Sequence, residues 1–185
     1  MRPTVLLLTA MVVTLILASG VAWALNKTCT TGTTSEKPCR GTDSADNILG
    51  TSGSDYIEAL DGNDIISARS GNDYVSGGYG SDQISGSYGD DTLYGDAGND
   101  QINGGSDNDT IYGGSGTDMV NGGSGDDTID VSGDPGRASS PVVDNVDCGS
   151  GNDTVYVDAT DENMLIDNLS DDDCENIILV VQQPT

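Results

Sequence analysis

GTDSADNIL, GTSGSDYIE, ALDGNDIIS, ARSGNDYVS, GGYGSDQIS, GSYGDDTLY, GDAGNDQIN, GGSDNDTIY, GGSGTDMVN and GGSGDDTID follow one another without insertion from Gly41 to Asp130. The sixth place is Asp in all ten units: Asp46, Asp55, Asp64, Asp73, Asp82, Asp91, Asp100, Asp109, Asp118 and Asp127. The eighth is a branched aliphatic: Ile48, Ile57, Ile66, Val75, Ile84, Leu93, Ile102, Ile111, Val120 and Ile129. Two columns held this strictly define an internal repeat, and the repeat decides the architecture ahead of local propensity.

Glycine recurs at places one, two and four, where a tight or left-handed backbone costs other residues more. Six loop residues therefore turn the chain, and places seven to nine form a short strand. Side chains alternate across a strand, so the aliphatic at place eight points one way and its neighbours the other. One core side chain per unit is too little to fold alone, so units must stack to bury a shared core. The expected fold is all-β: a parallel β-roll, or β-solenoid, with two nonapeptides per turn and two facing strand ladders. Ten units make about five turns, each rising roughly 4.8 Å, the spacing between strands.

At that rise the aspartates stack into two columns, one from odd units and one from even units. Like charges so close in line repel unless a cation lies between them. Carboxylates combined with loop carbonyls make an all-oxygen site suited to a hard cation of flexible geometry, namely Ca2+. The units resemble the RTX (hemolysin-type) calcium-binding nonapeptide, G-G-x-G-x-D-x-U-x, found in bacterial secreted proteins. GGYGSDQIS, GGSGTDMVN and GGSGDDTID carry the pattern in full. Elsewhere it is broken by Ser44 and Asp107 at place four, Ala59 and Ala68 at place one, and Leu60, Arg69 and Asp96 at place two. The resemblance implies several bound calcium ions, with the ten repeat aspartates and Asp153 as ligands.

Upstream, Met1 and Arg2 precede an apolar run from Val5 to Ala18, and Ala22-Trp23-Ala24 is a small-x-small cleavage signal. Residues 1–24 read as a secretory signal peptide, which gives a secreted, extracellular chain. The run is short for a membrane span, so no span is expected after cleavage. The chain has no His, no Phe, 31 acidic and six basic residues, and a net charge of −25. Such a charge excludes nucleic acid and anionic lipid as electrostatic partners. Without His the Ser-His-Asp and Cys-His arrangements are absent. No segment outside the repeats is long enough for a separate catalytic domain, so a non-enzyme is expected. A two-carboxylate enzyme acting on polysaccharide is the weaker reading.

Four cysteines in a secreted chain imply two disulfides, and three pairings are open. The local one, Cys29 with Cys39 and Cys148 with Cys174, puts one bridge at each end of the roll, where a solenoid needs its open core covered. Residues 25–40 are thus an N-terminal disulfide cap. Val131–Asp147, with Pro135, Gly136 and Pro141, reads as a surface loop. It fits the alternation if it replaces one odd unit and bulges by eight residues. Residues 148–185 hold a further unit, CGSGNDTVY, with Asp153 and Val155 in place, then an acidic cap and a last strand from about Asn176 to Val181.

The outward strand positions differ between ladders. The even one carries Tyr56, Tyr74, Thr92, Tyr94, Thr110, Tyr112 and Thr128, whereas the odd one has no tyrosine there. Tyrosine and threonine favour strands and pair well across a ladder, which explains the set structurally. The functional expectation is a flat candidate ligand face for extracellular polysaccharide or a cell surface.

Overall fold

The computed structural model describes residues 26–30, 37–132, 144–158 and 174–180. The expected leader, residues 133–143 of the expected loop and residues 159–173 of the expected C-terminal cap lie outside this set. Fifteen strands, β1 to β15 in chain order, are described, and there is no helix among the described residues. They form two parallel sheets, with successive strands alternating between them up to β14, after which β15 pairs with β14 in the same sheet.

The odd sheet runs β1 (Asn26–Thr28), β3 (Asn47–Leu49), β5 (Ile65–Ser70), β7 (Gln83–Tyr88), β9 (Gln101–Ser106), β11 (Met119–Ser124) and β13 (Asn145–Ser150). The even sheet runs β2 (Cys39–Arg40), β4 (Tyr56–Asp61), β6 (Tyr74–Tyr79), β8 (Thr92–Ala97), β10 (Thr110–Tyr112), β12 (Thr128–Asp130), β14 (Thr154–Asp158) and β15 (Asn176–Val180). The molecule is a β-solenoid of about seven turns. Each strand meets the next one in its sheet place for place, as in Ile66 opposite Ile84 and Val75 opposite Leu93. A one-residue slip would turn every place-eight aliphatic outward, and this fixes the register.

Two hydrogen bonds repeat around each turn. The place-seven N–H donates to the place-six carbonyl one turn earlier, as in Ile65 to Asp46 at 2.9 Å. The place-one N–H donates to the place-nine carbonyl one turn later, as in Gly50 to Ser67 at 2.7 Å. Many strands therefore run six residues rather than three, continuing through the first places of the next unit. The second of these bonds keeps the chain extended beyond place nine.

The core is one side chain thick. The place-eight aliphatics of both sheets are buried, and places one add small residues such as Ala59 and Ala68. The pairing Cys29–Cys39 and Cys148–Cys174 is present, with Cα–Cα distances of 5.5 and 5.4 Å. One reading needs correction. The segment taken as a surface loop, Val131–Asp147, ends inside β13, where Asn145, Val146 and Asp147 pair with Met119, Val120 and Asn121. Val146 is buried in the core, and Val131 at the other end of the segment is buried too. Residues 145–147 thus supply a strand of the odd sheet.

Candidate metal centre

The strands set the aspartates because place six is the last loop residue before the ladder resumes. All ten repeat aspartates and Asp153 are buried. From Asp64 onward one carboxylate oxygen of each is spent on the turn before it. In the odd column Oδ1 of Asp64 accepts the Asp46 N–H at 2.6 Å, Asp82 that of Asp64 at 2.8 Å, Asp100 that of Asp82 at 2.8 Å and Asp118 that of Asp100 at 2.9 Å. In the even column Asp73, Asp91, Asp109, Asp127 and Asp153 accept from the aspartate one turn earlier at 2.7–2.9 Å. A carboxylate accepting a backbone N–H makes a charge-assisted bond that clamps consecutive turns together.

Both columns run further than the sequence reading took them. Asp144 is buried and its Oδ1 accepts the Asp118 N–H at 2.7 Å. Glu175 Oε2 accepts the Asp153 N–H at 2.8 Å. Both belonged to the same acid-x-aliphatic-x pattern, as DNVD at 144–147 and ENII at 175–178. Asp144 was hidden by the irregular residues before it, and Glu175 by its extra methylene and the lost glycines.

The second carboxylate oxygen separates the units into two kinds. Oδ2 of Asp64, Asp73, Asp82, Asp91, Asp100, Asp109 and Asp127 is buried and accepts no hydrogen bond among the described residues. Buried polar atoms are almost always satisfied, so a row of orphaned oxygens calls for an explanation. In the first two units the same oxygen is satisfied by the loop. The Thr42 N–H donates to Asp46 Oδ2 and the Thr51 N–H to Asp55 Oδ2, each at 2.6 Å.

Place two accounts for the difference. In the seven orphaned units it has left-handed backbone, at Leu60 (φ 86°), Arg69 (83°), Gly78 (104°), Ser87 (86°), Asp96 (70°), Gly105 (121°) and Gly123 (110°). Thr42 and Thr51 are not among the positive-φ residues. A β-branched residue at positive φ is a genuine outlier, so threonine holds the loop in the form whose amide reaches the carboxylate. Three of the non-glycine departures from the repeat, Leu60, Arg69 and Asp96, thus adopt the glycine conformation. Place one is confined for a related reason: a Cβ on Gly77 would lie 2.5 Å from Asp82 Oδ2.

Electrostatics follow burial. Loss of water raises Asp73, Asp91, Asp100 and Asp109 to about 7 and Asp64 and Asp127 to about 6. The backbone N–H bond opposes the rise in each case, and neighbouring carboxylates add to it. Asp82 is raised for the same leading reason. Without a counter-charge the ionised form is disfavoured by burial, and Asp73, Asp91, Asp100 and Asp109 titrate close to neutrality.

Orphaned, buried, anionic oxygens in register fit a hard divalent cation. Among the described residues no three His, Cys, Asp or Glu side chains converge on one point. A cation here would therefore complete its shell from loop carbonyls or water, as calcium readily does.

The expected ligand face on the even sheet has a different form. Tyr56 and Tyr74 stack with centroids 4.3 Å apart and planes at 5°, Tyr94 and Tyr112 at 4.6 Å and 5°, and Tyr74 meets Tyr94 at 5.2 Å and 42°. The four rings form one continuous stack along the solenoid, crossing from place seven to place nine. Their faces are turned to each other, so the sheet does not present them as a flat platform. Thr92, Thr110 and Thr128 stand half-buried in one ladder beside the stack.

An all-β solenoid whose turns are lined with in-register carboxylates is a cation-binding repeat protein by architecture. Residues 40–75, 76–111 and 97–129 match the model of the RTX calcium-binding nonapeptide repeat (4 copies), and the solenoid over residues 40–129 belongs to that family. No curated protein and no solved structure matches the chain.

Proposed function

We propose that this is a secreted bacterial protein whose β-roll folds on binding several calcium ions outside the cell and then serves a structural or interaction role, without catalysis. The observation that carries the reading is the row of buried Oδ2 atoms with no hydrogen-bond donor among the described residues. Asp64, Asp73, Asp82, Asp91, Asp100, Asp109 and Asp127 are the principal ligands, and Asp118 and Asp153 extend the two columns. Calcium neutralises the columns and binds only the folded form, so it stabilises the roll by mass action. The signal-like leader, the two disulfides and the absence of histidine support an extracellular and non-catalytic role.

Circular dichroism of the mature chain in EGTA and in millimolar calcium tests this. Chelation should remove most of the β signal and calcium restore it. Magnesium should substitute poorly, because it demands near-ideal octahedral geometry and gives up water reluctantly. A spectrum that chelation leaves unchanged overturns calcium-driven folding.

A further inference from the structure

We infer that the first two repeat units, residues 41–58, are closed by the chain itself and take no cation, forming a metal-independent end from which the calcium-dependent turns extend. The inference rests on the calcium reading for the later turns and divides the aspartate columns that the repeat pattern makes uniform.

The geometry is specific to these two loops. Thr42 N–H donates to Asp46 Oδ2 at 2.6 Å, and the Thr42 hydroxyl reaches the same oxygen at 3.0 Å. Thr51 N–H donates to Asp55 Oδ2 at 2.6 Å, and its hydroxyl is held within the loop by Gly53 O at 3.1 Å. Each carboxylate oxygen that later units leave orphaned is here already satisfied. A cation would have to displace an amide, and the amide could turn away only if threonine took the left-handed backbone that it resists.

Charge at this end points the same way. Of the five basic residues outside the leader, Lys27, Lys37 and Arg40 fall within fourteen residues of chain. Arg40 Nε pairs with Glu58 at 2.6 Å, and Lys27 Nζ donates to the Arg40 carbonyl. The pairing of Cys39 with Ile57, extended by two residues, sets Lys37 opposite Asp55. The even column therefore begins with a cationic side chain at the place where every later turn has an acid. The Cys29–Cys39 disulfide ties β2 to the segment after β1 and shortens the unfolded search for this end. Local positive charge and covalent closure supply here what a metal supplies further along.

Calcium content by equilibrium dialysis, on the whole mature chain, tests the division. Asp46→Asn with Asp55→Asn should bind as many calcium ions as wild type. Asp82→Asn with Asp100→Asn should bind fewer. Thr42→Gly with Thr51→Gly, which frees both loops to flip, should bind more. Equal losses in the two asparagine pairs would overturn the inference. So would a glycine pair that keeps its fold in calcium, by circular dichroism, and binds no more than wild type.

Hydrogen exchange in EGTA gives an independent reading that does not depend on variants folding. Amides of residues 41–58 should stay protected while those of 74–130 exchange freely. Loss of protection in both stretches together counts against the inference. Protection of both in EGTA would instead remove calcium-driven folding, leaving the dialysis comparison to decide the first two units. A wild-type chain that binds no calcium overturns both readings.

Discussion

The turns at Asp46 and Asp55 and the turns from Asp64 onward share one repeat, one register and one hydrogen-bond ladder, yet they satisfy the same carboxylate in opposite ways. In the first pair a threonine amide lies 2.6 Å from Oδ2; at Asp64, Asp73, Asp82, Asp91, Asp100, Asp109 and Asp127 that oxygen is buried with no donor among the described residues. One backbone dihedral, at place two, makes the difference. A conserved-looking column of acids is therefore not by itself a column of equivalent sites. The conformation of a residue four places upstream decides whether the carboxylate is spoken for.

The largest test of the contrast is pH without metal. The unfolded carboxyls titrate near the ordinary 3.8, whereas Asp64, Asp73, Asp91, Asp100, Asp109 and Asp127 are raised to about 6 or 7 by burial. The folded state then holds protons that the unfolded state has released, so stability is full below about pH 4 and falls as pH rises through 6 to 7. Stripped of calcium beforehand, the chain should gain β signal and a higher melting transition at pH 5 relative to pH 7.5. Saturating calcium should flatten or reverse the trend. A metal-free melting temperature that rises with pH over this window would contradict the assignment of these groups as buried and uncompensated.

Glycine at place four gives the next largest difference. A Cβ on Gly98 would lie 1.7 Å from the Gly80 carbonyl oxygen, at φ 141°, and the clash is backbone on backbone. A Cβ on Gly53, in the second unit, meets nothing within 4 Å among the described residues. Gly98→Ala should cost more than about 4 kcal/mol, at the exceptional end for a point mutation, and Gly53→Ala should stay within roughly 0.5 kcal/mol. Urea midpoints in calcium give both values. Equal costs would mean that the first turns stack as tightly as the later ones.

Removing the N-terminal disulfide should cost about 2–4 kcal/mol. Cys29→Ala with Cys39→Ala should lose exchange protection over residues 41–58 before it does so over residues 74–112. Simultaneous loss would make the N-terminal end no more than a passive part of one cooperative unit.

The smallest effect sharpens the comparison from the other side. Leu60 and Arg69 hold left-handed backbone at φ 86° and 83°, a region that costs a side-chain-bearing residue roughly 1–2 kcal/mol. Leu60→Gly and Arg69→Gly should each recover about 1 kcal/mol or less, because glycine also loses more chain entropy on folding. Their calcium content should not change. A destabilisation in thermal melts would show that the loops are not strained there.

The ten-unit period determined the fold class, the alternation of sheets, the core positions and the two acid columns, because a stacked nonapeptide leaves the chain no other way to bury one aliphatic per unit. The local disulfides followed from the need to cover two open ends. Asp144 and Glu175 became visible only in the folded chain, since an inserted turn and a longer side chain hide their register. The tyrosines were legible as a ladder, but their shared stack depended on Tyr74 and Tyr94 meeting diagonally across strands. The division of the aspartates also belonged to tertiary structure. Sequence places an acid at every turn, whereas the availability of its second oxygen depends on which way a neighbouring amide points once the turns are stacked.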